Sequence, residues 1–333
     1  MPLIDTNTPA TDTIPAPVWP VHPIVLDPVM PASSAAFNDL ATSNIALSVT
    51  VLRDHATLFS AATGFGTGWQ PITTDTPMVL ASVSKLITSL TLARLAETGL
   101  IDIEAPVPWD LMAVAHDPGW NDVSVRELLQ HSSGMPKMQE SWFDEPGSCA
   151  IPLTEALSRP PTMTRSRWWY SNGNYCALGL LIESLTASRF DHPALRLVFE
   201  PIGITGPHLT VDGALDTDGP YPLGVGRLER LGAAGTWLAS SDDVAAMLDS
   251  VTADDLATMT HPAIMFDQYG WGHTGTVDGA KACAWVIDQG RTIVVGIVAG
   301  NRPDTGGRLC DRLIPAVAHD LGIWAGEPYR FPK

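Results

Sequence analysis

Strand-like segments at both ends of the chain, with a long helical middle between them, restrict the fold more than any other feature. Asn44 to Arg53 and Ala56 to Thr63 are rich in β-branched or alternating residues, and Asp54-His55 between them predicts a hairpin. Strand character returns only at Gln268 to Gly272, Ala280 to Asp288 and Thr292 to Val298, ahead of a helix from Gly307 to Leu321. Between them the pattern predicts helices at Ser124 to Gln130, Tyr175 to Leu185, His192 to Phe199 and Ser241 to Asp249, joined by Pro/Gly-rich loops. Strands from both ends then form one antiparallel sheet carrying the terminal helices, including a short one over Ala36 to Thr42. The expected class is α/β (α+β), an antiparallel sheet flanked by helices plus an all-helical insertion. Its parts are a proline-rich N-terminal arm over 1–33, a sheet domain from 34–100 together with 265–333, and a helical domain over 101–264. A cleft is expected where the insertion meets the sheet.

Ser82-Val83-Ser84-Lys85 opens a helical pattern that runs to Thr98, with Gly99 as its stop. Three residues make nearly one helical turn, so Ser82 and Lys85 share a face. A serine hydroxyl becomes a useful nucleophile when a neighbouring group takes its proton, and an amine can do so. Of the 19 Lys and Arg residues only Lys85, Lys137, Lys281 and Lys333 are lysines, leaving 19 − 4 = 15 arginines. Arginine keeps its proton inside proteins whereas a desolvated lysine loses it. A lysine in an apolar segment of so lysine-poor a chain therefore points to chemistry.

Composition removes several classes. A net charge of −17 argues against nucleic acid, which needs clustered Lys and Arg, and against docking on anionic membranes. No apolar run is long enough for a transmembrane helix. The first Lys or Arg is Arg53, so no signal peptide is read and a cytoplasmic location is expected. Cys149, Cys176, Cys283 and Cys310 show no C-x-x-C or metal spacing and are expected to be free thiols. The nine histidines form no zinc pattern, so no metal or other cofactor is expected. Gly64-Phe65-Gly66-Thr67-Gly68 lacks phosphate-loop spacing, since Trp69 stands where the third glycine belongs, and reads as a turn. There is no G-x-S-x-G nucleophile elbow.

Two further elements complete a constellation. Tyr170-Ser171-Asn172 supplies a phenol for proton transfer and an amide able to orient a lysine and a carbonyl. His273-Thr274-Gly275 falls where strands resume, and its glycine permits close backbone approach. The order S-x-x-K, Y-x-N, H-T-G resembles that of the penicillin-recognising serine hydrolases: class C β-lactamases, D-Ala-D-Ala carboxypeptidases, D-aminopeptidases and β-lactamase-like esterases. Leu128-Leu129-Gln130-His131-Ser132-Ser133-Gly134-Met135-Pro136 is similar to that family's L-L-x-H-T-S-G-L-P. Pro201-Ile202-Gly203-Ile204 and Ala234-Gly235-Thr236-Trp237-Leu238-Ala239-Ser240 are similar to two more of its segments.

The resemblance implies a β-lactamase/transpeptidase-like fold over roughly residues 35–322 and a role for each motif residue. Ser82 becomes the acyl-accepting nucleophile, and Lys85 and Tyr170 share the general-base work. Asn172 orients Lys85 and the acyl substituent. His273, Thr274 and Gly275 line the third wall, and the backbone N–H groups of Ser82 and Thr276 form the oxyanion hole. His131 is expected to be structural. Trp168 and Trp169 are read equally as pocket wall and as buried packing. Histidine stands at 273 where class C β-lactamases carry lysine, which weakens the hold on a substrate carboxylate. The expected activity is hydrolysis of small esters through an acyl-Ser82 intermediate. A D-amino-acid amidase or carboxypeptidase, a β-lactamase, and a non-catalytic binding module of the same fold are the alternatives. The expected partner is a small ester, amide or lactam.

Overall fold

Asp54 and His55 both take positive φ, 50° and 68°, the backbone of a tight two-residue hairpin turn. They join β1 (Ile45–Arg53) to β2 (Ala56–Thr63). The computed structural model describes residues 24–41, 45–66, 70–137, 147–210, 228–259, 265–266, 268–300 and 309–323. The arm up to residue 23, Thr67-Gly68-Trp69 and the start of the last helix at Gly307 lie outside the described residues.

β1 also pairs with β9 (Thr292–Gly300), β9 with β8 (Ala280–Ile287), and β8 with β7 (Gly270–Val277), all antiparallel. With the short β6 (Met265–Phe266) the sheet order is β2-β1-β9-β8-β7-β6. Alternation then assigns faces. Cys283, Trp285 and Ile287 of β8 pack in the core under α1 (Pro31–Leu40) and α9 (Leu309–Asp320). Ala282, Ala284 and Val286 face the opposite core, shared with α2 (Ser84–Glu97). The Asp320 carboxylate, near the end of α9, accepts from Ala32 N, Ser33 N and Ser33 Oγ at 2.8–2.9 Å, locking the two terminal helices together. A carboxylate is favourable there because the first turn of α1 presents unpaired N–H groups.

Eleven residues of α2 are buried, too many for one apolar stripe. This helix lies between two cores. Leu86, Ile87 and Leu90 face the sheet. Leu92 and Leu95 join a second core with α3 (Val125–Leu129), α4 (Ala150–Leu157) and α5 (Asn172–Thr186). The chain continues through α6 (Asp191–Ala194) and, after a stretch not described, α7 (Ser241–Asp249) and α8 (Ala253–Met259). Capping boxes start α3 at Ser124/Glu127 and α7 at Ser240/Asp243. Among the described residues no helix is long and apolar enough to cross a membrane.

Two expectations are corrected. The middle segment is not purely helical: β4 (His208–Leu209) and β5 (Trp237–Ala239) join β3 (Met78–Val79) in a three-stranded sheet of order β3-β5-β4. Strands of two or three residues are too short to show alternation in sequence. Nor are the cysteines free thiols: Cys149 is bonded to Cys176 and Cys283 to Cys310. Folding brings their Cα atoms to 5.9 and 5.4 Å. Disulfide formation requires that proximity, which spacing along the chain does not report.

Candidate active site

Ser82 lies in the 3-10 turn Ala81–Val83, immediately before α2, and Lys85 is in the first turn of that helix. Ala81 has φ of +47°, a left-handed backbone unusual for a non-glycine residue. The same corner packs against β7. A Cβ on Gly275 would collide with the Leu80 carbonyl and crowd Ala81, so only glycine lets the strand lie this close to Ser82.

The Lys85 side chain is completely buried. Its Nζ stands 3.1 Å from Ser82 Oγ, 2.9 Å from Asn172 Oδ1 and 2.7 Å from the Ala234 carbonyl. The rings of Tyr170 and Tyr175 flank it, with centroids at 5.1 and 5.5 Å. These oxygens and ring faces attract an ammonium, but none is a carboxylate. Desolvation prevails and holds the Lys85 pKa well below its ordinary value. A neutral amine has two protons and one lone pair. Asn172 Oδ1 and the Ala234 carbonyl can only accept, so the protons go to them and the lone pair is left for the Ser82 hydroxyl.

Tyr170 donates its O–H to Ser82 Oγ at 2.8 Å. Burial pushes its pKa up to about 12, with the bond to Ser82 opposing, so it is a neutral phenol at ordinary pH. Ser82 thus sits between a hydrogen-bond donor and a proton acceptor.

The loop carrying Tyr170 lies along residues 131–136. Trp169 N donates to His131 O at 2.7 Å and Ser166 N to Ser132 O at 3.0 Å, while Arg165 grips the Glu127 carboxylate at 3.0 and 2.8 Å. The His131 ring lies 4.6 Å from that of Tyr170. Its Nδ1 accepts from Asn174 Nδ2 at 3.0 Å and from Ser171 N at 3.3 Å. The Asn174 carbonyl oxygen accepts from Ser133 Oγ at 2.6 Å, which fixes the amide orientation. Burial presses the His131 pKa well down, and a proton on Lys85 or His273 would press it further, so the ring stays neutral. His131, held by Asn174, braces Tyr170 and the backbone of Ser171 from behind. Sequence reasoning saw only a structural histidine at 131 and assigned Asn174 no role. The Ala234 carbonyl was missed because a backbone group leaves no side-chain signal.

On β7, His273 pairs with Ala284 and so shares the face turned toward α2. Thr274 pairs with Cys283 and Thr276 with Lys281, which turns their Cβ atoms to the α9 face. His273 is buried, with its ring 6.2 Å from that of Tyr170 and Nδ1 2.6 Å from the Thr274 carbonyl. That carbonyl only accepts, so Nδ1 carries the proton and Nε2 keeps a lone pair. Desolvation, helped whenever Lys85 is protonated, lowers the His273 pKa to about 3, against the raising effect of the Thr274 carbonyl. Trp168 and Trp169 are not buried packing: they are 51% and 40% exposed, and the Trp168 ring lies 6.3 Å from that of Tyr170. Among the described residues no group of three His, Cys, Asp or Glu is arranged to hold a metal ion.

The chain is similar to known proteins in sequence and in fold. The chain is 29% identical over 146 residues to penicillin-binding protein 4* of Bacillus subtilis (strain 168), covering 40% of this chain and 31% of that protein. It is 26% identical over 158 residues to monacolin J acid methylbutanoyltransferase of Aspergillus terreus, covering 40% and 38%. The matches thus span about a third of the length of these curated relatives. The structure of D-amino acid amidase from Ochrobactrum anthropi SV3 superposes with a TM-score of 0.67 at 17% identity, covering 87% of this chain and 99% of that one. The beta-lactamase family model matches residues 37–319, most of the chain, and the protein belongs to that family.

Proposed function

We propose that the protein hydrolyses small esters through an acyl-enzyme on Ser82. The observation that carries this reading is the hydrogen-bond arithmetic at Nζ. Both protons of neutral Lys85 are taken by Asn172 Oδ1 and the Ala234 carbonyl, and its lone pair faces Ser82 Oγ. Lys85 takes the Ser82 proton as the oxygen bonds to the acyl carbon. Tyr170, kept protonated by burial, hands its proton to the departing oxygen; as the phenolate it then takes a proton from the incoming water, and the Lys85 ammonium returns its proton to Ser82 Oγ as the acyl bond breaks. The N–H groups of Ser82 and Thr276 bind the oxyanion. Gly275 gives the close approach this needs, and Thr274 and Thr276 act through their backbone.

His273 bears on the substrate. Its neutral ring offers a lone pair at Nε2, close to the tyrosine that serves the leaving group. A carboxylate there would meet a lone pair instead of a cation, whereas a neutral group with an N–H or O–H donor would be satisfied. This favours small neutral esters over β-lactams and peptides with a free C-terminal carboxylate. The D-amino-acid amidase reading remains the runner-up, supported by the amidase structure of the same fold. The two bridges also bear on location. Disulfides persist in oxidising compartments, which favours such a compartment over the cytoplasm.

The test is intact-protein mass after brief mixing with a p-nitrophenyl ester, beside Ser82→Ala. A gain equal to the acyl group, or rapid nitrophenol release, is expected only with Ser82 present. No adduct and no release from either protein overturns the reading in favour of a binding module.

A further inference from the structure

The two disulfides close the same sequence separation, 27 residues, in different surroundings. Cys283–Cys310 ties β8 to α9 in the core on the far side of the sheet. Cys149–Cys176 ties the residue capping α4 to α5, one turn beyond Asn172. Both of its cysteines are buried, at 5% and 1% exposure. A Cβ on Gly232 would stand only 2.7 Å from Cys149 Sγ. Gly232 begins the 3-10 turn Gly232–Ala234. That turn presents the Ala234 carbonyl to Lys85 and the Ala233 carbonyl to Thr88 Oγ1, at 2.7 and 2.8 Å. Ala233 is pressed against α5, where a Cβ on Gly179 would lie 2.6 Å from its own Cβ. Two of the three groups around Nζ, Asn172 Oδ1 and the Ala234 carbonyl, therefore ride on elements that meet at this bridge.

We propose that Cys149–Cys176 is a positioning bridge for Lys85, setting the gap between α5 and the 232–234 turn and making turnover depend on its oxidation. The proposal rests on Lys85 as the base for Ser82. Reduction by a dithiol transfers two electrons and two protons: the S–S bond breaks, two Cys thiols form and the dithiol becomes a cyclic disulfide. Two thiols need van der Waals separation where a bonded pair does not. Gly232 already abuts Cys149 Sγ, so on reduction the turn or α5 must yield, and with both sulfurs removed no bond holds the gap between them. Nζ then loses an acceptor or turns its lone pair from Ser82, and a loosened, wetter site lets the amine hold its proton to higher pH.

The experiment compares Cys149→Ala/Cys176→Ala with Cys283→Ala/Cys310→Ala, measuring kcat against pH and Tm. The first pair should lose at least about tenfold in kcat, since small misplacements at a reacting centre cost up to about 10²-fold. Its acid limb should move to higher pH, with KM little changed. The second pair should lose Tm yet keep the wild-type kcat and limb. Equal kcat losses in both pairs, or an unmoved limb in the first, overturn the proposal. Wild type titrated with dithiothreitol, then alkylated and mapped by mass, gives the same comparison if a variant does not fold. Activity should fall with alkylation at Cys149 and Cys176, and full activity with both alkylated overturns it. An acyl adduct on Ser82 in the oxidised wild type separates the two failures: with the adduct present and the bridges equivalent, only the positioning role falls. With neither an adduct nor nitrophenol release that depends on Ser82, both readings fall.

Discussion

At the scale of residues, the site is governed by burial that strips Lys85 and two histidines of charge. The unfolded chain protonates Lys85 below its ordinary 10.5 while the folded protein keeps it neutral to well below that. The unfolded state then binds more protons, so stability rises with pH across that window, by at most about 1.4 kcal/mol per pH unit for one proton. Lys85→Met should abolish turnover and flatten this rise, as read from urea midpoints at successive pH values. In wild type, activity should fall as pH drops and Lys85 protonates, while any alkaline limb waits for Tyr170 near its value of about 12. Tyr170→Phe assayed on a matched ester and amide should cost the amide more, because an amine needs a proton before it departs. Equal losses would argue against Tyr170 as the acid. His273→Lys should raise kcat/KM for a carboxylate-bearing substrate and lower it for a neutral one.

At the scale of elements, close approach matters more than propensity. Gly275→Ala places a Cβ against the Leu80 carbonyl and must push β7 from the Ser82 turn. We expect a loss of about 1–3 kcal/mol in stability, in the range of overpacking, and a larger proportional loss in kcat. Ser124→Ala removes one half of the α3 capping box and should cost about 1 kcal/mol without altering the pH profile. Long elements were legible because their patterns repeat: the β1–β2 hairpin, α2, α5 and the β7–β9 meander fall within a few residues of expectation, except that β7 runs on to Val277. α4 escaped because Pro152 stands in its first turn and reads as a breaker, although proline is tolerated there. We propose keeping the domain limits near 100 and 265. Val244, Ala245 and Leu248 of α7 pack in the sheet core, so this helix belongs with the sheet in space though it lies in the insertion by sequence.

At the scale of the whole molecule, acid should unfold the protein early. His273 is neutral in the fold down to about 3 and His131 to well below 6.5. Below 6.5 the unfolded chain takes up these protons first, so stability present above that pH is lost as it falls. Chemical denaturation at pH 7 and pH 5 should show the drop, and replacing His131 with Gln should shrink it. Each disulfide is expected to contribute about 2–4 kcal/mol by restricting the unfolded chain.

Sequence by itself determined the motif residues and their order, because Ser82, Lys85, Tyr170, Asn172 and His273 are chemically distinctive side chains on strongly patterned elements. It also determined the sheet built from both termini, since alternation and helical period are local properties. Tertiary structure alone decided what depends on distance between remote segments. The Ala234 carbonyl that completes the Lys85 cradle carries no side-chain signature. The bracing of Tyr170 by His131 and Asn174 joins residues some forty positions apart. The cysteine pairs were set by Cα atoms meeting in space, and the charge states of Lys85 and His273 by complete burial, neither of which is written in spacing along the chain.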